Sequence, residues 1–111
     1  MATITPTVTY DAGNYRQVKW ETIADGDTIT AFQVPTTEGA IGSVQMTGTF
    51  GAAVTLAGSN DGTNFVTLKD ISGSDISLTA AGVVDFRTAV LYIKPVEAGV
   101  TDVDVTVTLR G

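Results

Sequence analysis

The sequence predicts an all-β protein: an antiparallel β-sandwich in jelly-roll or Greek-key-like order, with about eight or nine short strands. Nineteen threonines and fourteen valines dominate the 111 residues, and these β-branched residues favour strands over helices. Short segments of alternating apolar and polar residues are separated by turn residues at intervals typical of sandwiches. No segment has helical spacing over the length that a stable helix needs. The strand order is left open.

Composition limits the classes of function that we expect. The net charge is −6, and the three lysines and three arginines are scattered along the chain, which disfavours nucleic-acid binding because that needs clustered positive charge. Histidine and cysteine are absent, so a Ser-His-Asp triad, a cysteine nucleophile and a thiolate metal site cannot form within one chain. No apolar run approaches the ~20 residues of a membrane span, and residues 1–6 lack the features of a signal peptide. We therefore expect no membrane contact and no Sec export.

Residues 1–14 alternate threonine with apolar residues around Pro6, so they form either a strand at a sheet edge or an extended arm. We expect an arm that packs on this domain or on a neighbouring subunit. Residues 15–111 then form the sandwich, beginning with a strand over residues 15–23 in which Trp20 anchors the core.

A turn and a loop follow this strand. An Asp-Gly pair between two alternating runs predicts a hairpin that joins residues 15–23 to a strand over residues 28–34. Asp25 and Asp27 also resemble the opening of a calcium loop, but the remaining acidic positions of that pattern are missing. Residues 35–42 contain a proline and two glycines and predict a loop that crosses between the sheets.

Residues 53–69 predict a central β-hairpin. An Asn-Asp-Gly turn at residues 60–62 supplies the residue types that reverse a chain, and a leucine on each side is directed to the core. The polar residues either serve the corner alone, or Asp61 and Asn64 offer oxygen ligands to a calcium ion or a sugar. The second interpretation needs further ligands from a neighbouring loop, and the sequence shows none.

Gly48 lies within an alternating run, which indicates a bulge or the close approach of another backbone. Pro95 should end strand pairing or lie on an edge. Further strands are expected over residues 43–50, 83–88, 90–96 and 103–109, with short edge segments around Ile76 and Leu78. The last of these strands alternates most regularly and should be central to the core. The expected core includes Trp20, Phe50, Leu56, Phe65, Val105 and Val107.

The twelve acidic residues are the only abundant side chains that could act in catalysis, but no spacing in the sequence brings a particular pair of carboxylates together. We therefore expect no enzyme, no cofactor and no metal site. Tyr10, Tyr15 and Tyr92 either stack against a sugar or lie half-buried in the sheets or at an interface.

The chain resembles small structural proteins of tailed bacteriophages over roughly residues 43–109. The matching residues are Val54-Thr55-Leu56, Gly58-Ser59-Asn60-Asp61-Gly62-Thr63-Asn64-Phe65, Leu68, Leu91-Tyr92-Ile93-Lys94-Pro95-Val96 and the closing Thr-Val strand. The resemblance implies a virion β-sandwich that decorates or cements the capsid, often as a trimer. A similar Ser-Asn-Asp-Gly-Thr-Asn-aromatic hairpin occurs as framework in discoidin-like and carbohydrate-binding jelly rolls.

From this resemblance we expect a non-enzymatic protein, made in the cytoplasm of the host bacterium, that binds the major capsid protein at the capsid surface of the virion and forms homo-oligomers, with a trimer favoured. Residues 1–42 lie outside the stronger match, and an extended arm can add a strand to a neighbour's sheet edge. The residues expected to bind the partner are therefore Thr3, Ile4, Thr5, Pro6, Thr7, Val8 and Tyr10. The alternatives are a glycan-binding jelly-roll module of a tail or fibre, and a head-completion or tail-tube component.

Overall fold

The computed structural model describes residues 2–12, 15–34 and 41–110, and these form twelve β-strands and no helix. The strands are β1 (Thr3–Ile4), β2 (Thr7–Ala12), β3 (Tyr15–Ile23), β4 (Thr28–Ile29), β5 (Phe32–Gln33), β6 (Ile41–Thr49), β7 (Val54–Ser59), β8 (Val66–Thr67), β9 (Ser77–Leu78), β10 (Gly82–Arg87), β11 (Tyr92–Glu97) and β12 (Asp102–Arg110). The count exceeds the eight or nine strands predicted because five of them are only two residues long. In the described part of the chain there is no helix of the length and apolarity needed to cross a membrane.

The strands form two five-stranded antiparallel sheets and one short parallel pair, β1 with β4. The large sheet has the order β10-β6-β12-β3-β2, and the small sheet has the order β5-β11-β7-β8, with β9 also paired to β7. Four antiparallel pairs are nested: β3 with β12, β5 with β11, β6 with β10, and β7 with β8. Such nesting across two sheets is a long hairpin folded over on itself, which is the jelly-roll arrangement. The prediction of an antiparallel β-sandwich is confirmed.

The inner faces of the two sheets share one core, which confirms the alternation predicted for the last strand. In β12 the buried side chains are Val103, Val105, Val107 and Leu109. Of the other predicted core residues, Trp20 and Leu56 are fully buried, and Phe50 packs partly buried against the same cluster. The Trp20 indole Nε1 donates a hydrogen bond to the Thr30 carbonyl oxygen at 2.8 Å, so its polar atom is not left without a partner inside the core.

The central hairpin is present, with β7 and β8 paired antiparallel through Ala57 opposite Thr67. The prediction of Phe65 as a core residue is wrong. The Phe65 ring is only partly buried, and the Lys94 ammonium lies 4.4 Å from its centroid. Lys94 alternates with the buried Ile93 along β11, so Phe65 packs on the outer face of the small sheet rather than in the core.

The predicted hairpin between residues 15–23 and 28–34 is also wrong. The strand β3 pairs with β12 and β2, and residues 28–34 are divided between β4 and β5, which lie in different sheets. The Asp25 amide donates to the Val100 carbonyl oxygen at 2.9 Å, which ties the turn to the β11–β12 loop. Asp25-Gly26 therefore forms a turn that leads the chain from β3 of the large sheet to β4, which pairs with β1, instead of a hairpin turn.

The loop predicted over residues 35–42 begins outside the described residues, which resume at residue 41. Ile41 and Gly42 already belong to β6. Since β5 lies in the small sheet and β6 in the large sheet, the chain does pass from one sheet to the other here. Pro95 lies within β11 beyond the two residues that pair with β5, so no described strand pairs with β11 on that side of Pro95, as predicted for an edge position.

Gly48 confirms the close backbone approach that its position predicted. It has a φ of +126°, and a Cβ built on it would lie 2.0 Å from the Asp102 carbonyl oxygen. A larger side chain is opposed both by the positive φ and by the backbone atoms of Asp102 and Val103 that lie where its Cβ would be. The contact fixes β6 against the start of β12.

Replacing Gly48 with alanine should lower the free energy of unfolding by about 3 kcal/mol or more, because strain and a backbone clash act together. The matched control is Gly73→Ala, since Gly73 also has a positive φ, +91°, but no heavy atom within 4 Å of the added Cβ. It should cost about 1 to 2 kcal/mol. Urea unfolding followed by Trp20 fluorescence measures both; equal losses would contradict the proposed role of the Gly48–Asp102 contact.

Candidate partner-binding surface

The residues predicted to bind a partner lie on β1, on β2 and in the link between them. The strand β1 lies beside β4: the Thr28 amide donates to the Ala2 carbonyl oxygen at 2.9 Å, and the Thr30 amide donates to that of Ile4 at 2.9 Å. The Ile4 side chain packs, partly buried, against the core. This part of the N-terminal segment is therefore attached to its own domain.

Asp27 joins the N-terminal segment to the turn after β3. Its Oδ1 accepts a hydrogen bond from the Ala2 amide at 2.9 Å, and its Oδ2 accepts one from the Ala24 amide at 2.9 Å. These hydrogen bonds hold the pKa of Asp27 below its ordinary value because they stabilise the carboxylate, and the one from Ala2 has the largest effect. The pattern around Asp27 resembled the opening of a calcium loop, but both carboxylate oxygens of Asp27 hold the chain through hydrogen bonds to backbone amides.

The strand β2 forms one edge of the large sheet. It pairs with β3 on one side, and no described strand pairs with the other side. Val8 is 47% exposed and Tyr10 is 53% exposed, and a register irregularity lies between them. We refer to Thr7–Ala12 as the β2 edge. It offers backbone N–H and C=O groups together with two large apolar side chains, the combination by which a sheet edge accepts a further strand.

The predicted residues therefore divide into two groups. Thr7, Val8 and Tyr10 lie on the β2 edge and are exposed. Thr3 and Ile4 lie on β1, where their backbone is paired with β4, and residues 5–6 form the link. The β2 edge is consequently the part of the predicted surface that a partner can reach as a strand.

The turn of the central hairpin uses its polar atoms internally. Asp61 Oδ1 accepts hydrogen bonds from the Thr63 and Asn64 amides at 2.8 Å, and its Oδ2 accepts one from Asn64 Nδ2 at 2.8 Å. These hydrogen bonds, with one from the Ser59 hydroxyl, hold the pKa of Asp61 well below its usual range. Among the residues that the structure describes, no group of three or more acidic side chains could hold a metal ion.

The tyrosines do not form a common platform. Tyr10 lies on β2 in the large sheet, whereas Tyr92 lies on β11 in the small sheet, with its ring close to Gly62 of the central turn. The side chain of Tyr15 lies outside the described residues. A sugar could therefore not stack on Tyr10 and Tyr92 together.

The fold also creates a cleft that the sequence analysis missed. It opens on the outer face of the large sheet, with a volume of about 560 Å³. Its lining residues are Ile41, Gly42, Ser43, Ile71, Asp85, Arg87, Thr108 and Arg110. We call it the arginine cleft. Its residues come from three strands and a loop that are distant in sequence, so only the strand order could have revealed it.

Comparison with known proteins adds a similarity of shape. No family model matches the chain, and the sequence has no match among the curated proteins. A solved structure of an RmlC-like cupin protein from Desulfovibrio desulfuricans is similar over 97% of this chain and 82% of that chain, with 13% identity and a TM-score of 0.47. The pairing of the chain's own strands, and not this likeness, defines the class of protein as a jelly-roll β-sandwich.

Replacing Asp27 with alanine should release β1 from β4, because the carboxylate anchors Ala2. We expect faster hydrogen exchange at the Thr28 and Thr30 amides, measured by NMR at neutral pH. The contribution of Asp27 is present above its unfolded pKa of about 3.9 and is lost as pH falls through the lower folded value, so acidification should reduce protection in the wild type more than in the variant.

The control for this experiment is Asp25→Ala, since the Asp25 side chain accepts no hydrogen bond from the described residues. It should leave the protection of Thr28 and Thr30 unchanged. Equal protection in Asp27→Ala and the wild type would show that the carboxylate does not hold the segment.

Proposed function

We propose that this chain is a non-enzymatic structural protein of a tailed-phage virion. In this proposal it binds the major capsid protein at the capsid surface through the β2 edge, and copies associate with one another, with a trimer favoured. Each copy binds the assembled shell better than free capsid subunits, so by mass action it stabilises the shell. The observation that carries the proposal is the exposed β2 edge.

The residue content of the β2 edge supports a binding role. Lysine and proline are two residue types that protect exposed edges, and the sequence Thr-Val-Thr-Tyr-Asp-Ala contains neither, so the register irregularity and Asp11 are its remaining protecting features. Its one charged residue, Asp11, is neutralised by the Arg16 guanidinium at 3.0 Å. The irregularity beside Val8 shortens the stretch open to regular pairing, which favours a short contact whose specificity comes from Val8 and Tyr10.

Four of the described carboxylates have structural tasks, which supports a role without catalysis. Asp27, Asp61, Glu97 and Asp104 all accept hydrogen bonds from backbone amides of turns or strand ends. A general acid or nucleophile needs a carboxyl group aimed at a substrate rather than at its own chain.

The glycan-binding alternative receives less support, because it needs an exposed aromatic platform near a turn and the two described tyrosines lie on different sheets. A head-completion or tail-tube component would use the same β2 edge. It differs from a decoration protein in the number of copies on each particle.

Replacing Val8 with lysine should weaken binding to capsids by about tenfold or more, because a charge would be placed at the edge that the partner strand covers. The matched control is Val66→Lys, which makes the same change at an edge valine of the small sheet that is 71% exposed. Both variants are added to phage particles that lack this protein, and bound protein is measured after sedimentation of the particles.

Only Val8→Lys should lose binding, while both variants keep the urea midpoint and Trp20 fluorescence of the wild type. Wild-type binding by Val8→Lys would rule out the β2 edge as the capsid-binding surface.

A further inference from the structure

The chain contains two Asp-Gly dipeptides, Asp25-Gly26 and Asp61-Gly62, and no Asn-Gly. In an Asp-Gly dipeptide the glycine nitrogen can attack the carboxyl carbon of the aspartate side chain and close a five-membered ring, because no glycine side chain hinders the approach. All four residues are exposed in the structure. Exposure therefore does not distinguish the two dipeptides, whereas their hydrogen bonds do.

The second dipeptide, Asp61-Gly62, is held away from this reaction. Both carboxylate oxygens of Asp61 accept hydrogen bonds within the turn, as described above. The Gly62 nitrogen donates to the Ser59 hydroxyl oxygen at 3.0 Å, and that hydroxyl donates to Asp61 Oδ1 at 2.8 Å. The side chain must break these hydrogen bonds before the Gly62 nitrogen can reach its carboxyl carbon. They also keep the carboxyl group ionised, and a carboxylate reacts poorly because it has no leaving group.

The first dipeptide, Asp25-Gly26, occupies the middle of a turn. The Asp27 amide donates to the Ala24 carbonyl oxygen at 3.1 Å, and Gly26 has a φ of +84°, the positive value that such a turn needs at its third position. Within the described residues the Asp25 side chain takes part in no hydrogen bond and no ion pair, so it can rotate toward the Gly26 nitrogen. The Gly26 amide donates to Glu97 Oε1 at 3.1 Å, so a carboxylate that can accept its proton already contacts the reacting nitrogen.

We propose that Asp25 is a site of spontaneous isomerisation to isoaspartate in the folded protein. A bond forms between the Gly26 nitrogen and the Asp25 carboxyl carbon, and the bond from that carbon to its hydroxyl oxygen breaks. Glu97 accepts the amide proton and returns it to the departing hydroxyl, so one water molecule is released and a succinimide remains. Water then adds to one of the two ring carbonyls. Addition at the main-chain carbonyl gives isoaspartate, and addition at the other regenerates aspartate.

Isomerisation changes the turn that holds the N-terminal segment. It lengthens the main chain between residues 25 and 26 by one carbon, because the Asp25 Cβ enters the backbone. The same turn positions Asp27, whose carboxylate accepts hydrogen bonds from the Ala24 and Ala2 amides at 2.9 Å each. A longer turn displaces Asp27 from these partners, so β1 is released slowly from β4. This inference is independent of the capsid role.

The test compares the two dipeptides in the same molecules. Folded wild-type protein is incubated for several weeks at mildly acidic pH, then unfolded and digested with an endoprotease that cleaves before aspartate but not before isoaspartate. Mass spectrometry should show that cleavage before Asp25 is lost at least about tenfold faster than cleavage before Asp61, because the Asp61 carboxylate must first give up several hydrogen bonds. Incubation in urea supplies the reference, since both dipeptides should then convert at similar rates.

The matched variant is Asp25→Glu, which keeps the charge but closes the corresponding six-membered ring far more slowly. Hydrogen exchange at the Thr28 and Thr30 amides, measured by NMR, should become faster as the wild type is incubated. It should stay constant in Asp25→Glu over the same period, because the turn keeps its length.

Two results would overturn the isomerisation site: intact cleavage before Asp25 after incubation, or equal losses before Asp25 and Asp61 in the folded protein. Unchanged exchange in protein that has isomerised at Asp25 would overturn the release of β1. Each of these results would leave the Val8→Lys test of capsid binding untouched.

Discussion

The alternation of valine and leucine with polar residues along β12 is the constraint on which the rest of the fold depends. This strand lies at the centre of the large sheet, paired with β6 over all nine residues and with β3 on its other side. A slip of one residue would turn every buried side chain of β12 outward, so the core permits one register only. Gly48 adds a second restriction, because its contact with Asp102 leaves no space for displacement at that end.

A core of this kind determines what remains for function. The inner faces of both sheets are used for packing, so the edges, the outer faces and the strand ends are left to bind other molecules. The β2 edge and the arginine cleft lie toward opposite edges of the large sheet, the cleft on β6, β10 and β12. The large sheet therefore presents two separate surfaces, one toward each edge, to other molecules.

Features that depend on local chemistry could be predicted from the sequence, and features that depend on which strands meet could not. The β12 alternation, the Asn-Asp-Gly turn and the restriction at Gly48 are each specified within a few residues. The attachment of β1 to β4 and the arginine cleft arise from residues far apart in sequence, and the Asp-Gly after β3 looks the same in a hairpin and in a corner between sheets. Phe65 was misplaced because it lies just before β8, and a strand of only two residues offers too little alternation to show on which face a neighbouring side chain lies.

The most direct test of the proposed capsid role is the number of copies on a particle. Quantitative mass spectrometry of purified virions of the phage that encodes this chain compares its peptides with those of the major capsid protein. The account predicts an abundance comparable to that of the capsid protein, or one trimer at each threefold site of the shell. A few copies on each particle, or none, would contradict a shell-wide role and would move the protein to the tail or a vertex, or out of the virion.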